Sequence, residues 1–145
     1  MIYKHTQIGH LIIFAFFATA LYFGIIWTYA DLNSIVIAIM ISIPILIASF
    51  ATLNVMIDVK YLWIKFGYGI FRKRFMIREI ISARAVRNHW YYGWGIRFWW
   101  WPRIVIFNVS GFDAVEIKMK NGKTYRIGTD EPKKLEYAIK RAIKR

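Results

Sequence analysis

The sequence predicts an α+β membrane protein, in which a hairpin of two transmembrane helices precedes an antiparallel β domain that ends in an α-helix. Three observations lead to this fold class. Between Lys4 and Lys60 the only formally charged side chains are those of Asp31 and Asp58. From Lys60 onward the chain carries 20 Lys and Arg and six acidic residues, a net charge of +14. In that second part, apolar residues recur first with the period of a strand and finally with that of a helix.

Two apolar segments, at about 8–29 and 34–57, predict the membrane helices. They are 22 and 24 residues long and contain no Lys or Arg. At about 1.5 Å per residue, each is long enough to cross a hydrocarbon core of about 30 Å. The connection over 30–33 is so short that a helical hairpin is expected, because a bilayer requires all backbone groups to be paired internally. The predicted division is therefore a transmembrane hairpin at 1–57 and a soluble domain at 58–145.

The orientation follows from the positive charges. Lys4 precedes the first segment, the hairpin turn carries no positive charge, and the basic domain follows the second segment. The positive-inside rule then predicts an integral protein of the cell membrane with both termini in the cytoplasm. A cleaved signal peptide is the alternative, since Ala18-Thr19-Ala20 resembles a cleavage site. The apolar run continues beyond it to Trp27, where a mature N-terminus should become polar, and this disfavours cleavage.

The soluble part has strand and turn signals. Apolar residues alternate over 62–66, and Gly67-Tyr68-Gly69 indicates a turn. Further strand-like runs occupy 71–86, 104–109 and 114–119. Asn121-Gly122 predicts a two-residue type I′ hairpin that leads into the last strand, at 124–127.

A C-terminal helix is expected at 131–144. Thr129 and Asp130 are suitable N-terminal residues, and Pro132 lies at the position where helices accept proline. The predicted apolar stripe consists of Leu135, Ala138, Ile139, Ala142 and Ile143.

A family resemblance rests on four strings of this sequence. They are Gly93-Trp94-Gly95-Ile96-Arg97, Phe107-Asn108-Val109-Ser110-Gly111, Ala114-Val115-Glu116-Ile117 and Arg126-Ile127-Gly128-Thr129-Asp130-Glu131-Pro132. With them, the chain from about Leu53 to Arg145 resembles the bacterial and archaeal pleckstrin-homology-like (PH-like) domains that are joined to a transmembrane hairpin. The resemblance implies a bent antiparallel barrel of about seven strands plugged by the C-terminal helix. It implies membrane-proximal binding or scaffolding and no catalysis.

No constellation of residues suggests catalysis or a cofactor. The chain has no cysteine, and His5, His10 and His89 lack metal-ligand spacing. The carboxylates form no recurring pair suited to acid–base chemistry. The glycines at 67–69 and 93–95 lack the helix and third glycine of a nucleotide-binding loop and are interpreted as turns. We therefore expect a protein that is not an enzyme and binds neither metal nor cofactor.

Basic residues after the first predicted turn are the first candidate site. Each Lys or Arg near an anionic leaflet contributes about 1 kcal/mol of attraction, so a tethered basic domain should lie against the lipid surface. The alternative is a solvated basic face that only fixes topology. The candidates for binding anionic lipid or a partner are Arg72, Lys73, Arg74, Arg78, Arg84 and Arg87.

The aromatic segment at 90–102 is the second candidate. A small domain cannot bury all of these rings, and surplus Trp and Tyr favour membrane or protein interfaces. The candidates are Trp90, Tyr91, Tyr92, Trp94, Trp99, Trp100 and Trp101.

Three functional interpretations follow. The first is a non-enzymatic, membrane-anchored interaction or scaffold protein whose basic domain lies at the cytoplasmic membrane surface. The alternative is a small accessory subunit that docks on a larger membrane complex, or on a second copy of itself, through the aromatic segment and the apolar helices. Binding of single-stranded nucleic acid by basic and aromatic residues is disfavoured by the membrane tether.

Overall fold

The computed structural model describes residues 2–100 and 103–145. Within these residues it contains three α-helices and nine strands. In chain order they are β1 (Tyr3–Ile8), α1 (His10–Tyr29), α2 (Ser34–Ala48), β2 (Thr52–Ile57), β3 (Tyr61–Phe66), β4 (Arg72–Met76), β5 (Ile80–Arg87), β6 (Gly95–Trp99), β7 (Ile104–Asn108), β8 (Asp113–Met119), β9 (Thr124–Gly128) and α3 (Pro132–Ile143). Single 3-10 turns occupy Ile77–Glu79 and Trp90–Tyr92.

The strands form two sheets that enclose one main core. The first has the order β1-β2-β3-β4 and the second the order β5-β8-β9-β7-β6. All pairings are antiparallel except that of β7 with β9, which is parallel. Leu53, Ile64 and Phe66 of the first sheet meet Ile117 and Ile127 of the second in the core, and all five are almost fully buried.

The prediction of two transmembrane helices is wrong. Only α1 is long and apolar enough to cross a membrane among the residues that the structure describes. The second helix ends at Ala48 after 15 residues, or about 22 Å. The apolar run predicted at 34–57 contains a strand as well, because Leu53, Val55 and Ile57 alternate with Thr52, Asn54 and Met56 and face the core. A count of apolar residues alone does not separate such a strand from a helix.

The prediction of a single closed barrel is also wrong. The long strand-like run at 71–86 is interrupted by the 3-10 turn at Ile77–Glu79, which passes the chain from the first sheet to the second. Within the described residues, no strand pairing joins the two sheets, so β1 and β4 remain edges of the first sheet and β5 and β6 edges of the second. A PH-like barrel of about seven antiparallel strands is therefore not what this chain forms.

The chain leaves the two-sheet domain into α1 and returns to it from α2 at the same end of the domain. β1 and β2 are neighbouring strands although α1 and α2 separate them in sequence, and the Gly9 N–H donates to the Ala51 carbonyl at 2.7 Å. The turn after β3 also lies here, since a Cβ on Gly67 would stand 2.4 Å from the Ser49 carbonyl oxygen. Gly67 also has φ +43°, so the site favours glycine on two counts. We call this the helix-proximal end and the opposite end of the strands the distal end.

The helices carry apolar side chains outward. No residue of α1 is buried, and α2 buries only Met40. A side chain such as Phe14, Phe17 or Leu21 is more than half exposed. Apolar surface of this extent is typical of a contact with lipid or another protein.

The C-terminal half follows the sequence predictions more closely. α3 begins at Pro132, and Leu135, Ala138, Ile139 and Ala142 are buried as the stripe predicted. Asn121 and Gly122 lie in the hairpin between β8 and β9. The hairpin is not of the I′ type, because only Gly122 has positive φ and its N–H donates to the Met119 carbonyl.

Candidate interaction surfaces

The candidate cations Arg72, Lys73 and Arg74 lie together on β4, an edge of the first sheet, and all three are exposed. Arg74 turns to the outer face, where its guanidinium carbon lies 4.7 Å from the centre of the Tyr61 ring and 5.2 Å from that of Trp63. Such cation–π contacts hold an arginine in place while its charge stays accessible. This strand is therefore a fixed, positively charged edge.

The other three candidate cations lie elsewhere. Arg78 is in the 3-10 turn at the distal end, beside Glu79. Arg84 and Arg87 lie on β5, an edge of the second sheet. Arg87 stacks near Phe112 at 5.9 Å, close to the helix-proximal end. The structure thus brings together three of the six predicted cations and distributes the rest over two other places.

Arg84 belongs to an ion network that the sequence did not reveal. Glu116 on β8 is almost fully buried, and its carboxylate accepts from Arg126 Nε at 3.0 Å. Arg84 approaches the other carboxylate oxygen at 3.7 Å, and Arg126 also donates to Asn88 at 3.3 Å. Because Arg84, Glu116 and Arg126 are cross-strand neighbours in one row, this cation has a structural partner and is less free to bind an external anion.

The aromatic segment divides into buried and exposed members. Tyr92 is 6% exposed and packs with Ile104, Ile106 and Trp99 on the outer face of the second sheet. Trp94 is half-buried and faces Phe112 at 6.4 Å. Tyr91 is half exposed, and Trp90 and Trp100 are 77% and 83% exposed. The prediction for Trp101 lies outside the described residues.

The exposed tryptophans lie away from the helices. β6 begins at the helix-proximal end with Gly95, beside Phe50, and Trp99 is four residues further along, at about 13 Å. Tyr91 packs against Trp99 at 5.6 Å, Trp90 packs against Tyr91, and Trp100 follows directly after the strand. This group therefore faces outward from the distal half of the second sheet.

A different set of exposed apolar side chains surrounds the helix-proximal end. Tyr68 and Ile70 project from the turn between β3 and β4, and Ile96 lies on β6. No sequence pattern indicates them, because a turn residue and a strand residue lie in separate segments of the chain. We call Tyr68, Ile70 and Ile96 the apolar collar.

Side-chain contacts also join β1 to the start of α3. His5 contacts the carboxylates of Asp130 and Glu131. Burial, with the nearby charge of Glu131, raises the pKa of Tyr3 to about 12. On α3, the Lys140 ammonium and then the Ala85 N–H hold the pKa of the Glu136 carboxyl below its ordinary value. The contacts of His5 join the strand before α1 to the folded domain, whereas Glu136 joins α3 to β5.

The described residues contain no group of three or more His, Cys, Asp or Glu placed to hold a metal ion. Comparison with protein-family models, with curated proteins and with solved structures finds no match to this chain. The resemblance to PH-like domains stays a prediction from the quoted strings.

Proposed function

We propose that the protein is a non-enzymatic, membrane-anchored interaction protein whose basic two-sheet domain rests on the cytoplasmic surface of the membrane. The observation that carries this proposal is the length of α1 together with its exposed apolar surface. The helix is apolar along its whole length, it has no buried residue, and at about 30 Å it matches the thickness of a hydrocarbon core. The shorter α2 packs beside α1 and returns the chain to the domain.

The helix-proximal end has the composition of a membrane-facing surface. The apolar collar lies at the end from which α1 departs, and Arg72 begins the neighbouring edge strand. Apolar and aromatic groups at such a boundary enter the interfacial region, while cations above them pair with anionic headgroups. The anionic lipids of the cytoplasmic leaflet are therefore the proposed partners of this end.

The pairing of β1 with β2 supports anchoring over removal of a signal sequence. β1 makes a six-residue ladder with β2, and Gln7 is buried and donates to the Ser110 carbonyl at 3.0 Å. Cleavage after Ala20 would remove this strand from a finished sheet. The same pairing joins the segments before α1 and after α2 in one folded domain, and the positive charges favour the cytoplasm for that domain and for both termini.

Single cysteines test how the domain rests on the membrane, because the chain has none of its own. Tyr68→Cys places a fluorophore on the apolar collar, and Asn121→Cys places it in the β8–β9 hairpin at the distal end. In vesicles of anionic lipid, we expect headgroup-linked quenchers to quench the first label at least about threefold more than the second. Equal quenching at the two positions would contradict a domain that rests on its helix-proximal end.

The second candidate function is an accessory subunit of a larger membrane complex. It is favoured by the exposed Trp90, Tyr91 and Trp100, which lie too far from the helix-proximal end to be explained by lipid contact. Exposed tryptophans clustered in this way are typical of protein interfaces. A net charge of +13 disfavours a second copy as the partner and favours an acidic protein.

The double variant Trp90→Ser/Trp100→Ser tests this candidate. After extraction of cells in mild detergent, native mass spectrometry is expected to find a stoichiometric companion with the parent chain and at most about a tenth as much with the variant. Tyr137→Ser on α3 is the control, since it removes a similarly exposed ring from a different surface. Recovery of the monomer alone from the parent chain would exclude this function.

A further inference from the structure

An open groove runs between one edge of the first sheet and one edge of the second. β4 forms one wall and β6 the other, and neither edge is paired by a further strand within the described residues. The groove has a volume of about 450 Å³, which lies within the usual range for small-molecule sites. Phe71, Ile96, Phe98 and Val105 are among the apolar residues that line it.

The lining leaves a large apolar surface open to solvent. Phe98 points to the inner side of the second sheet, in the same cross-strand row as Val105 and Tyr125. It is nevertheless 71% exposed, because the first sheet does not extend over β6. Ile70 and Ile96 continue this surface to the helix-proximal end. The groove is therefore an unfilled extension of the core that opens beside the helices.

The charges of the groove have one sign. Arg72, Lys73 and Lys123 belong to its lining, and no carboxylate does among the residues that the structure describes. Arg72 and Lys73 lie on β4, whereas Lys123 lies in the distal β8–β9 hairpin. Arg72 stands at the helix-proximal start of β4, so the cations run along the groove from that end to Lys123. An occupant that complements this arrangement has an apolar part against the inner wall and an anionic part within reach of Lys73 and Lys123.

We propose that this groove binds a single anionic phospholipid from the adjoining leaflet. One acyl chain lies along Ile70, Ile96 and Phe98, and the phosphate faces Lys73 and Lys123. The lipid keeps the orientation that it has in the cytoplasmic leaflet, with its chains toward the bilayer and its headgroup away from it. Binding requires only that the lipid move partly out of the leaflet along β4 and β6. Access to the lipid rests on the proposed membrane anchor.

The continuity of the apolar surface supports this occupant. Phe71 in the groove stacks on Phe50 at 4.8 Å, and Phe50 lies two residues beyond the end of α2. Contact with lipid at α2 would thus extend without a polar break into the groove. A soluble anion would be attracted by the three cations but would leave the apolar walls uncovered.

Native mass spectrometry of the full chain in detergent tests the proposal with phosphatidylglycerol and phosphatidylcholine as probes. We expect one phosphatidylglycerol to be retained per chain, with at least about tenfold preference over phosphatidylcholine. Lys123→Glu should lower this retention at least about tenfold. Lys120→Glu is the matched control, because it makes the same charge change in the same exposed hairpin outside the groove, and it should retain the lipid.

A second pair of variants tests the apolar walls. Phe98→Glu puts a carboxylate in the groove at a position exposed enough to leave the fold intact, and it should abolish retention. Tyr137→Glu introduces the same charge at a similarly exposed ring on α3, outside the groove, and should not abolish retention. Equal retention of the two lipids would overturn the lipid site. Retention by Phe98→Glu at the parent level would also overturn it, as would a loss of lipid in the two control variants equal to that in the groove variants. Both groove variants should still sediment with membranes, so failure of the lipid site is distinguishable from failure of the anchor.

Discussion

Replacing Phe17 and Leu21 by aspartate is expected to move the protein from the membrane fraction to the soluble fraction or into aggregates. The two residues lie four apart on α1, on one face, and both are about two-thirds exposed. A charged side chain at the centre of a membrane helix costs about 2.5–3.5 kcal/mol on insertion scales. Two such residues cost about 5–7 kcal/mol together and should lower the equilibrium constant for insertion by about four to five orders of magnitude.

The measurement is the fraction of the chain that sediments with membranes after a wash in high salt, which removes proteins held only by charge. The matched control is Phe17→Leu/Leu21→Phe, which exchanges the two side chains and keeps the surface apolar. Because neither residue is in the domain core, the doubly charged variant should retain the sheets of the domain. Sedimentation of the aspartate variant at the level of the control would show that α1 is not the anchor.

Replacing Glu116 by alanine is expected to lower the free energy of unfolding by about 3 kcal/mol. Removing one partner of a buried ion pair is strongly destabilising, because it leaves an uncompensated charge in the protein. Here the Arg126 guanidinium, whose side chain is 14% exposed, would lose its carboxylate and keep the Asn88 oxygen and the Tyr92 ring as neutral partners. Glu116→Gln retains an acceptor at the same place and should cost less.

Chemical unfolding of the full chain in detergent, followed by tryptophan fluorescence, measures this loss. Glu79→Ala is the matched control, since Glu79 pairs with Arg78 at the surface at 3.6 Å and such pairs contribute about 0–1 kcal/mol. If the midpoints of Glu116→Ala and Glu79→Ala shift equally, the network on the outer face of the second sheet does not stabilise the fold as described.

The predictions that hold are those that rest on local patterns. α3 was predictable because its apolar stripe has the period of a helix, and the β8–β9 hairpin because Asn121-Gly122 interrupts two alternating runs. The length of α2 was not predictable by counting apolar residues. Leu53, Val55 and Ile57 enter the core as a strand, and only their alternation with Thr52, Asn54 and Met56 distinguishes them from the helix before them.

The candidate site was only partly predictable, for a related reason. β1 has the polar sequence Tyr-Lys-His-Thr-Gln-Ile, and it is a strand because β2 returns beside it after both helices. The groove between β4 and β6 combines Phe71, Phe98 and Lys123 from distant segments, so no single window contains its pattern. The aromatic segment was conspicuous in sequence. Its division into a buried Tyr92 and an exposed Trp90 was not predictable, because it depends on which rings pack over β7 in the folded domain.

A spin label at the middle of α1 tests the central claim most directly. Ala20→Cys introduces the only thiol of the chain on an exposed, small position of the helix, and Asn121→Cys serves as the aqueous reference. In vesicles, a membrane-embedded α1 predicts that the label at position 20 collides freely with molecular oxygen and is shielded from a water-soluble nickel chelate. Access of the chelate to position 20 equal to that at position 121 would contradict a membrane-embedded α1.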